Sequence, residues 1–167
     1  MGKGEKEFQE LWGQTWKKVR AYMFCGCNDW ADSDDLAQEC YLRALRGWHL
    51  FNAKGSRQAW LFAIARNTRA DWFRRGNRKQ GLTNARPDSE LHSGSQQADT
   101  DELEMVWQAV GSLNDQQGEV IHLRFAAGLN YTQISEALGI PIGTVRSRLH
   151  RGLKTLRTNL GGHENGA

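Results

Sequence analysis

The chain has 167 residues, with 22 Lys and Arg against 19 Asp and Glu and a net charge of +3, room for one ordinary domain or two small ones that each bury a modest core. No continuous apolar run approaches the roughly 20 residues of a membrane span, and the start Met1-Gly2-Lys3-Gly4-Glu5-Lys6-Glu7 lacks the apolar core of a signal peptide. A cytosolic protein without membrane insertion is expected.

Apolar residues recur at three- and four-residue spacing and only two prolines interrupt them, so the expected fold is all-α. It reads as two small helical domains joined by a flexible linker, the C-terminal one a helix-turn-helix. From Phe8, the positions Leu11, Trp12, Trp16, Val19, Tyr22 and Met23 mark one face of a helix ending near Gly26. A second helix follows, capped by Asp32 or Ser33, with Asp34 and Asp35 at its positive end and a buried stripe of Leu36, Cys40, Ala44, Leu45 and Trp48.

After a polar turn at Asn52-Ala53-Lys54-Gly55-Ser56, a third helix turns Trp60, Leu61, Ile64, Ala65, Thr68 and Trp72 inward. Its outer face carries Arg57, Arg66, Arg69, Arg74, Arg75, Arg78 and Lys79 against the single acid Asp71, more positive charge than solubility requires. Helical spacing assigns most of the tryptophans to packing rather than to stacking on bases.

From about Gln80 to Thr100 the periodicity gives way to Gly, Ser, Asn, Gln and acids, the composition of a linker. Periodicity resumes at Leu103, Val106, Trp107 and Val110 and opens a second helical domain. Within it, Asn130 and Gln133 can cap a short helix reciprocally, Gly139 can end it, and Pro141 prevents its continuation. Ile134, Ala137, Leu138, Ile140, Val145 and Leu149 would lock two helices at a steep angle. The second helix has no acid from Thr144 to Asn159, and it exposes Arg146, Ser147, Arg148, His150, Arg151 and Lys154, which suits phosphates and base edges in a major groove.

The three cysteines, Cys25, Cys27 and Cys40, are an odd set that fits a reducing compartment, and with His49 they do not have the spacing of a usual zinc site. Five histidines are scattered without a nucleophile-and-acid arrangement, and no phosphate-binding glycine loop is present. Neither catalysis, metal nor cofactor is expected.

The helix-turn-helix resembles the promoter-binding domain of bacterial extracytoplasmic function (ECF) sigma factors, of the sigma-70 family. The stretch Asp32-Ser33-Asp34-Asp35-Leu36-Ala37-Gln38-Glu39-Cys40-Tyr41-Leu42-Arg43-Ala44 resembles that family's acidic polymerase-binding helix. Ala59-Trp60-Leu61-Phe62-Ala63-Ile64-Ala65-Arg66-Asn67, with Asp71, Arg74 and Arg75, resembles its following DNA-binding helix.

The resemblance implies a region 2 domain at 1–80, a linker at 81–100, a region 4 domain at 101–160 and a disordered tail at 161–167. It implies binding to core RNA polymerase, at the largest subunit's clamp helices through Asp35, Gln38 and Glu39 and at the flap. For the minus-10 element it implies Phe51, Asn52, Lys54, Ser56 and Asn67 around a flipped base, with Arg66, Arg74, Arg75 and Arg78 on the backbone. For the minus-35 element it implies Thr144, Arg146, Ser147, Arg148, His150, Arg151 and Lys154. An anti-sigma factor is an expected partner.

Departures are His150, at a variable reading position, and Cys40, in place of a commoner polar residue. Two other readings stand beside this one. A stand-alone helix-turn-helix regulator would bind palindromic operators without polymerase, and a sigma-like decoy for an anti-sigma factor would have no use for the retained arginines.

Overall fold

The computed structural model describes residues 2–79, 105–106 and 109–161. Among these every regular element is helical. The linker at 81–100 and residues 162–167 lie outside them.

Helix α1 spans Lys3–Cys27 and closes at Asn28, whose left-handed backbone (φ 54°) lets its amide donate to the Phe24 carbonyl at 2.8 Å. The helix therefore runs one residue past its expected end at Gly26. Directly after it, Asp29 is extended and caps α2 (Trp30–Gly47), its carboxylate accepting from the Asp32 amide at 2.9 Å. The expected caps, Asp32 and Ser33, lie inside the first turn instead. Asn28 reverses the chain early enough for Asp29 to take the capping position, and Ser33 turns inward and donates to the Trp30 carbonyl.

A 3₁₀ turn at Trp48–Leu50 leads to α3 (Arg57–Lys79), whose first turn is satisfied by the Ser56 hydroxyl accepting from the Ala59 amide at 3.2 Å. The three helices close on Phe8, Leu11, Val19, Tyr22, Met23, Leu36, Cys40, Ala44, Leu61, Phe62 and Ala65. Each larger apolar side chain there contributes about 1.5–3 kcal/mol on burial. Thr15 and Thr68 occupy buried positions because their hydroxyls donate to the carbonyls of Leu11 and Ile64, one turn back. Trp16, expected inside, is 41% exposed, at the edge of the apolar stripe.

In the second unit α4 spans Asp115–Ile121, with Asn114 as its cap, and continues as a π-helical turn at His122–Ala126. Helix α5 (Tyr131–Leu138) begins with the reciprocal cap that the sequence predicts. Asn130 accepts from the Gln133 amide at 2.8 Å and Gln133 accepts from the Asn130 amide at 3.0 Å. Gly139 ends it at φ 64°, a conformation that costs glycine nothing. After Pro141, α6 runs from Ile142 through Gly161, so Gly161 belongs to the helix and not to the tail. Ile134, Ala137, Val145, Leu149 and Leu156 are buried together with Val120, Ile121, Leu123 and Leu129. Leu138 and Ile140 only flank that core.

The two units touch. Helix α1 packs on the π-helical turn and α3 packs on α5.

Candidate nucleic-acid interface

On α6 the buried Val145, Leu149, Gly152 and Leu156 fix one face inward, and the helical period then points Arg146, His150, Arg151 and Lys154 to solvent. Thr144, Ser147 and Arg148 are half-buried at the edge of that face, and the Ser147 hydroxyl donates to the Thr144 carbonyl at 3.1 Å. None of Arg146, Arg148, Arg151 and Lys154 takes part in an ion pair recorded among the described residues. The result is a one-signed strip that attracts phosphate oxygens.

The turn after Trp48 is built on an aromatic box. Phe51 stacks on Trp48 at 5.4 Å with the rings 11° apart and meets the edge of Trp60 at 5.6 Å. The box is one wall of a cavity of about 390 Å³, lined by Leu50, Phe51, Asn52, Gly55, Ser56, Ala59, Trp60, Ala63 and Glu136. Asn52, Lys54 and Gly55 are exposed at the loop, and Asn52 accepts from the Lys54 amide at 3.1 Å. Phe51 thus serves both as a packed residue and as a cavity wall. Asn67 and Arg66 are exposed on the neighbouring face of α3.

Further along α3 the arginines are engaged by acids. Arg74 pairs with Asp71, Arg75 donates to Glu39 at 2.9 Å, and Arg43 bridges Asp71 at 2.6 Å and Glu39. The Arg43 hydrogen bond holds the Asp71 carboxyl below the usual carboxylate range. The Arg78 side chain lies outside the described residues. Asp35 and Gln38 are exposed on α2, whereas Glu39 is half-buried and already paired. Asp32, Asp35, Leu36, Glu39, Trp72, Arg75 and Gly76 line a groove between α2 and α3.

Arg69, expected on the outer basic face, is instead 8% exposed. It crosses α1 at Gly26, where a β-carbon would meet its Cδ at 2.5 Å. It donates to the Tyr22 carbonyl at 3.1 Å and pairs with Glu119 of the second unit. The Tyr22 hydroxyl donates to the same carboxylate, and Arg66 approaches it at 4.0 Å. Burial works against the Arg69 charge, but the Glu119 carboxylate paired with it offsets that cost and keeps it charged. Burial pushes Tyr22 well above the ordinary tyrosine value. Burial and Arg69 pull His122, whose Nδ1 lies 3.4 Å from the guanidinium, down to about 3.

A second junction lies beside the loop. The Ser56 amide donates to Glu136 at 3.0 Å, and the Gln133 amide nitrogen reaches the Ser56 hydroxyl and Gln58, both at 3.2 Å. Sequence reasoning does not single out Glu119, Glu136 or His122, and it reads Tyr22 only as a packing residue of α1. Their partners lie 50 to 97 residues away, and no local periodicity encodes such pairings.

Burial pushes the thiols of Cys25 and Cys40 up to about 12 and that of Cys27 to about 11, so all three stay protonated and poorly reactive. No group of three or more His, Cys, Asp or Glu among the described residues is placed to hold a metal ion.

An aromatic-walled loop beside a basic helix, followed by a helix-turn-helix, is the arrangement of a two-unit nucleic-acid-binding protein. Family comparison agrees with the division. Residues 11–79 match Sigma-70 region 2 and residues 109–158 match Sigma-70, region 4. The chain is 30% identical to the ECF RNA polymerase sigma factor SigX of Bacillus subtilis, over 93% of this chain and 84% of that one. It is 33% identical to the ECF RNA polymerase sigma factor SigC of Mycobacterium tuberculosis, over 82% and 72%. The chain belongs to the ECF sigma factors of RNA polymerase, which direct transcription.

Among solved structures, the sigma factor RpoE in complex with the anti-sigma factor NepR from Bartonella quintana matches with a TM-score of 0.74 at 24% identity, over 93% of this chain and 98% of that one. CnrH in complex with the cytosolic domain of CnrY matches at 0.69 and 22%, over 95% and 90%. These two establish the shared fold. Among the described residues no helix is long and apolar enough to cross a membrane.

Proposed function

We propose that this chain acts in the cytosol as a non-enzymatic specificity subunit of RNA polymerase, its first unit opening the minus-10 element and its second reading the minus-35 element. The acid-free, exposed strip Arg146, His150, Arg151 and Lys154 on a packed helix-turn-helix carries the proposal. Arg146 and Arg151 have the reach and donor geometry for base edges. Thr144, Ser147 and Arg148, at the strip's edge, and Lys154 set the helix on the backbone.

In the first unit the cavity lined by Phe51, Asn52 and Ser56 receives an unstacked base, with the exposed Lys54 and Asn67 as further contacts to the strand. Arg66, Arg74, Arg75 and Arg78 neutralise the strand. Asp35 and Gln38, with Glu39 behind them, form the acidic strip for the clamp helices of the largest subunit, and the second unit docks on the flap. RpoE and CnrH are each seen with a protein partner, and we assign this chain an anti-sigma partner of the same kind.

The test is transcription by core RNA polymerase reconstituted with this chain on a genomic promoter library. Discrete start sites with common minus-10 and minus-35 sequences are expected. Folded protein that assembles with polymerase yet yields no specific start would overturn the proposal. Asp35→Arg should reduce holoenzyme assembly while leaving helicity unchanged, and normal assembly would remove Asp35 from the clamp contact.

A further inference from the structure

We infer that Trp48 is the positioning residue of the minus-10 cavity: it sets the planes of Phe51 and Trp60, two aromatic side chains that line the cavity, without lining it itself. This rests on the reading that the cavity receives an unstacked base.

Phe51 opens the exposed loop at 52–55, and Trp48 holds it in two ways. The Phe51 amide donates to the Trp48 carbonyl at 3.1 Å, and its ring lies on the indole at 5.4 Å with 11° between the planes. Trp60 meets Trp48 edge-on at 5.6 Å and 70°, and it meets Phe51 at 5.6 Å and 63°. The three rings close a triangle in which two face the cavity and the third stands behind them. Stacked and edge-on pairs at this spacing are favourable beyond the area they bury. Loss of Trp48 therefore takes one ring contact from each aromatic wall at once.

Trp48 is in turn fixed from the far side. Phe8, fully buried, meets it at 5.5 Å. Gly4 lies against the indole edge, where a β-carbon would stand 3.5 Å from Nε1. The Arg57 guanidinium lies over the ring at 5.9 Å and pairs with Glu7 at 3.5 Å, within the reach of a cation–π contact. The first turns of α1 thus join the start of α3 behind the indole. An aromatic row runs from the core at Phe8, through Trp48, to the cavity at Phe51.

A base that stacks on a ring gains most when that ring already stands in its bound plane. A ring that must be ordered on arrival offsets the contact with lost freedom. Trp48 supplies this order in advance and acts on the base through Phe51 and Trp60.

The test measures binding of holoenzyme, reconstituted with the full chain, to single-stranded oligonucleotides carrying the minus-10 sequence fixed by start-site mapping. Each minus-10 base is replaced in turn by an abasic site. With the parent chain, one abasic position should weaken binding about tenfold, the effect of one lost stacking contact. Trp48→Leu, with helicity and holoenzyme assembly unchanged, should cut that ratio to about twofold, whereas Trp48→Phe, which keeps a ring at the site, should retain most of it. A structural role alone would weaken binding to intact and abasic strands alike and leave the ratio at its parent value. That result for Trp48→Leu would overturn the inference, as would an equally low ratio in Trp48→Phe. Arg57→Gln, at a half-exposed side chain, covers a folding defect in Trp48→Leu. It should lower the ratio about twofold, and if Trp48→Leu does not assemble, an unchanged ratio in Arg57→Gln overturns the inference. A parent chain that loses nothing at any abasic position would instead overturn the base-capture reading, and the role of Trp48 with it.

Discussion

The two basic surfaces of this molecule are in opposite states. On α6 the positive side chains Arg146, Arg151 and Lys154, with His150 among them, face solvent without an acid on their helix. On α3, Arg69, Arg74 and Arg75 are each held by a carboxylate, from Glu119, Asp71 and Glu39, and the adjoining cavity carries Glu136 in its wall. A count of arginines treats the two helices alike. Charge is available to a ligand only where no acid of the same chain has claimed it, as on α6 and not at Arg69, Arg74 and Arg75 of α3.

The sharpest way to break the contrast is to remove an occupying acid. Glu119→Ala leaves Arg69 buried without its partner, and such losses cost about 3 to 5 kcal/mol. Urea unfolding should then split from one transition into two as the units uncouple. A single unshifted transition would show that the pair contributes nothing to the contact between them.

The same junction responds to pH through His122, held neutral by burial and Arg69 down to about 3. Once the chain unfolds, this side chain takes a proton below about 6.5 while the folded protein takes none, so its contribution is complete above pH 6.5 and lost as the pH falls toward 3. Between pH 7 and pH 5 the loss is about 2 kcal/mol. His122→Gln should flatten the stability profile in that window, and an unchanged slope would place the titration elsewhere.

On the open surface, Arg151→Ala should weaken binding to a minus-35 duplex by about 1 to 3 kcal/mol, with specificity relaxed at one position. Binding competition against mutated duplexes reads this directly, and a uniform loss across sequences would move Arg151 to the phosphate contacts. Smaller still, Asn130→Ala removes the reciprocal cap of α5 and should cost about 1 kcal/mol of stability. An unchanged unfolding midpoint would mean that Gln133 alone suffices.

The local features of the fold were legible in the sequence because they depend on neighbours. Asn130 with Gln133, Gly139 and Pro141 announce the helix-turn-helix by capping and by backbone freedom, and the stripe Leu36, Cys40 and Ala44 announces the buried face of α2. The cap of α2, Asp29, lies three or four residues before the Asp32 or Ser33 that the sequence suggests, because several acids compete there and only the reversal at Asn28 selects Asp29. Arg69 reads as outward because it belongs to a basic series, and nothing local reveals that Gly26 opens a path for it toward Glu119. The candidate DNA strip on α6 follows from periodicity alone. The occupancy of α3 depends on pairings across the whole chain, which no period records.

The most direct test of an occupied first unit and a ready second one is the distance between a probe at Arg57 on α3 and a probe at Thr132 on α5, each next to the contact of Gln58 with Gln133. It should be measured first in the free chain and then in holoenzyme on promoter DNA. A short, narrow distribution in the free chain that lengthens in the holoenzyme by several tens of ångströms, toward the ~85 Å between promoter elements, is the predicted result. A distance that is already long and broad in the free chain, or one that stays short on the promoter, would contradict it.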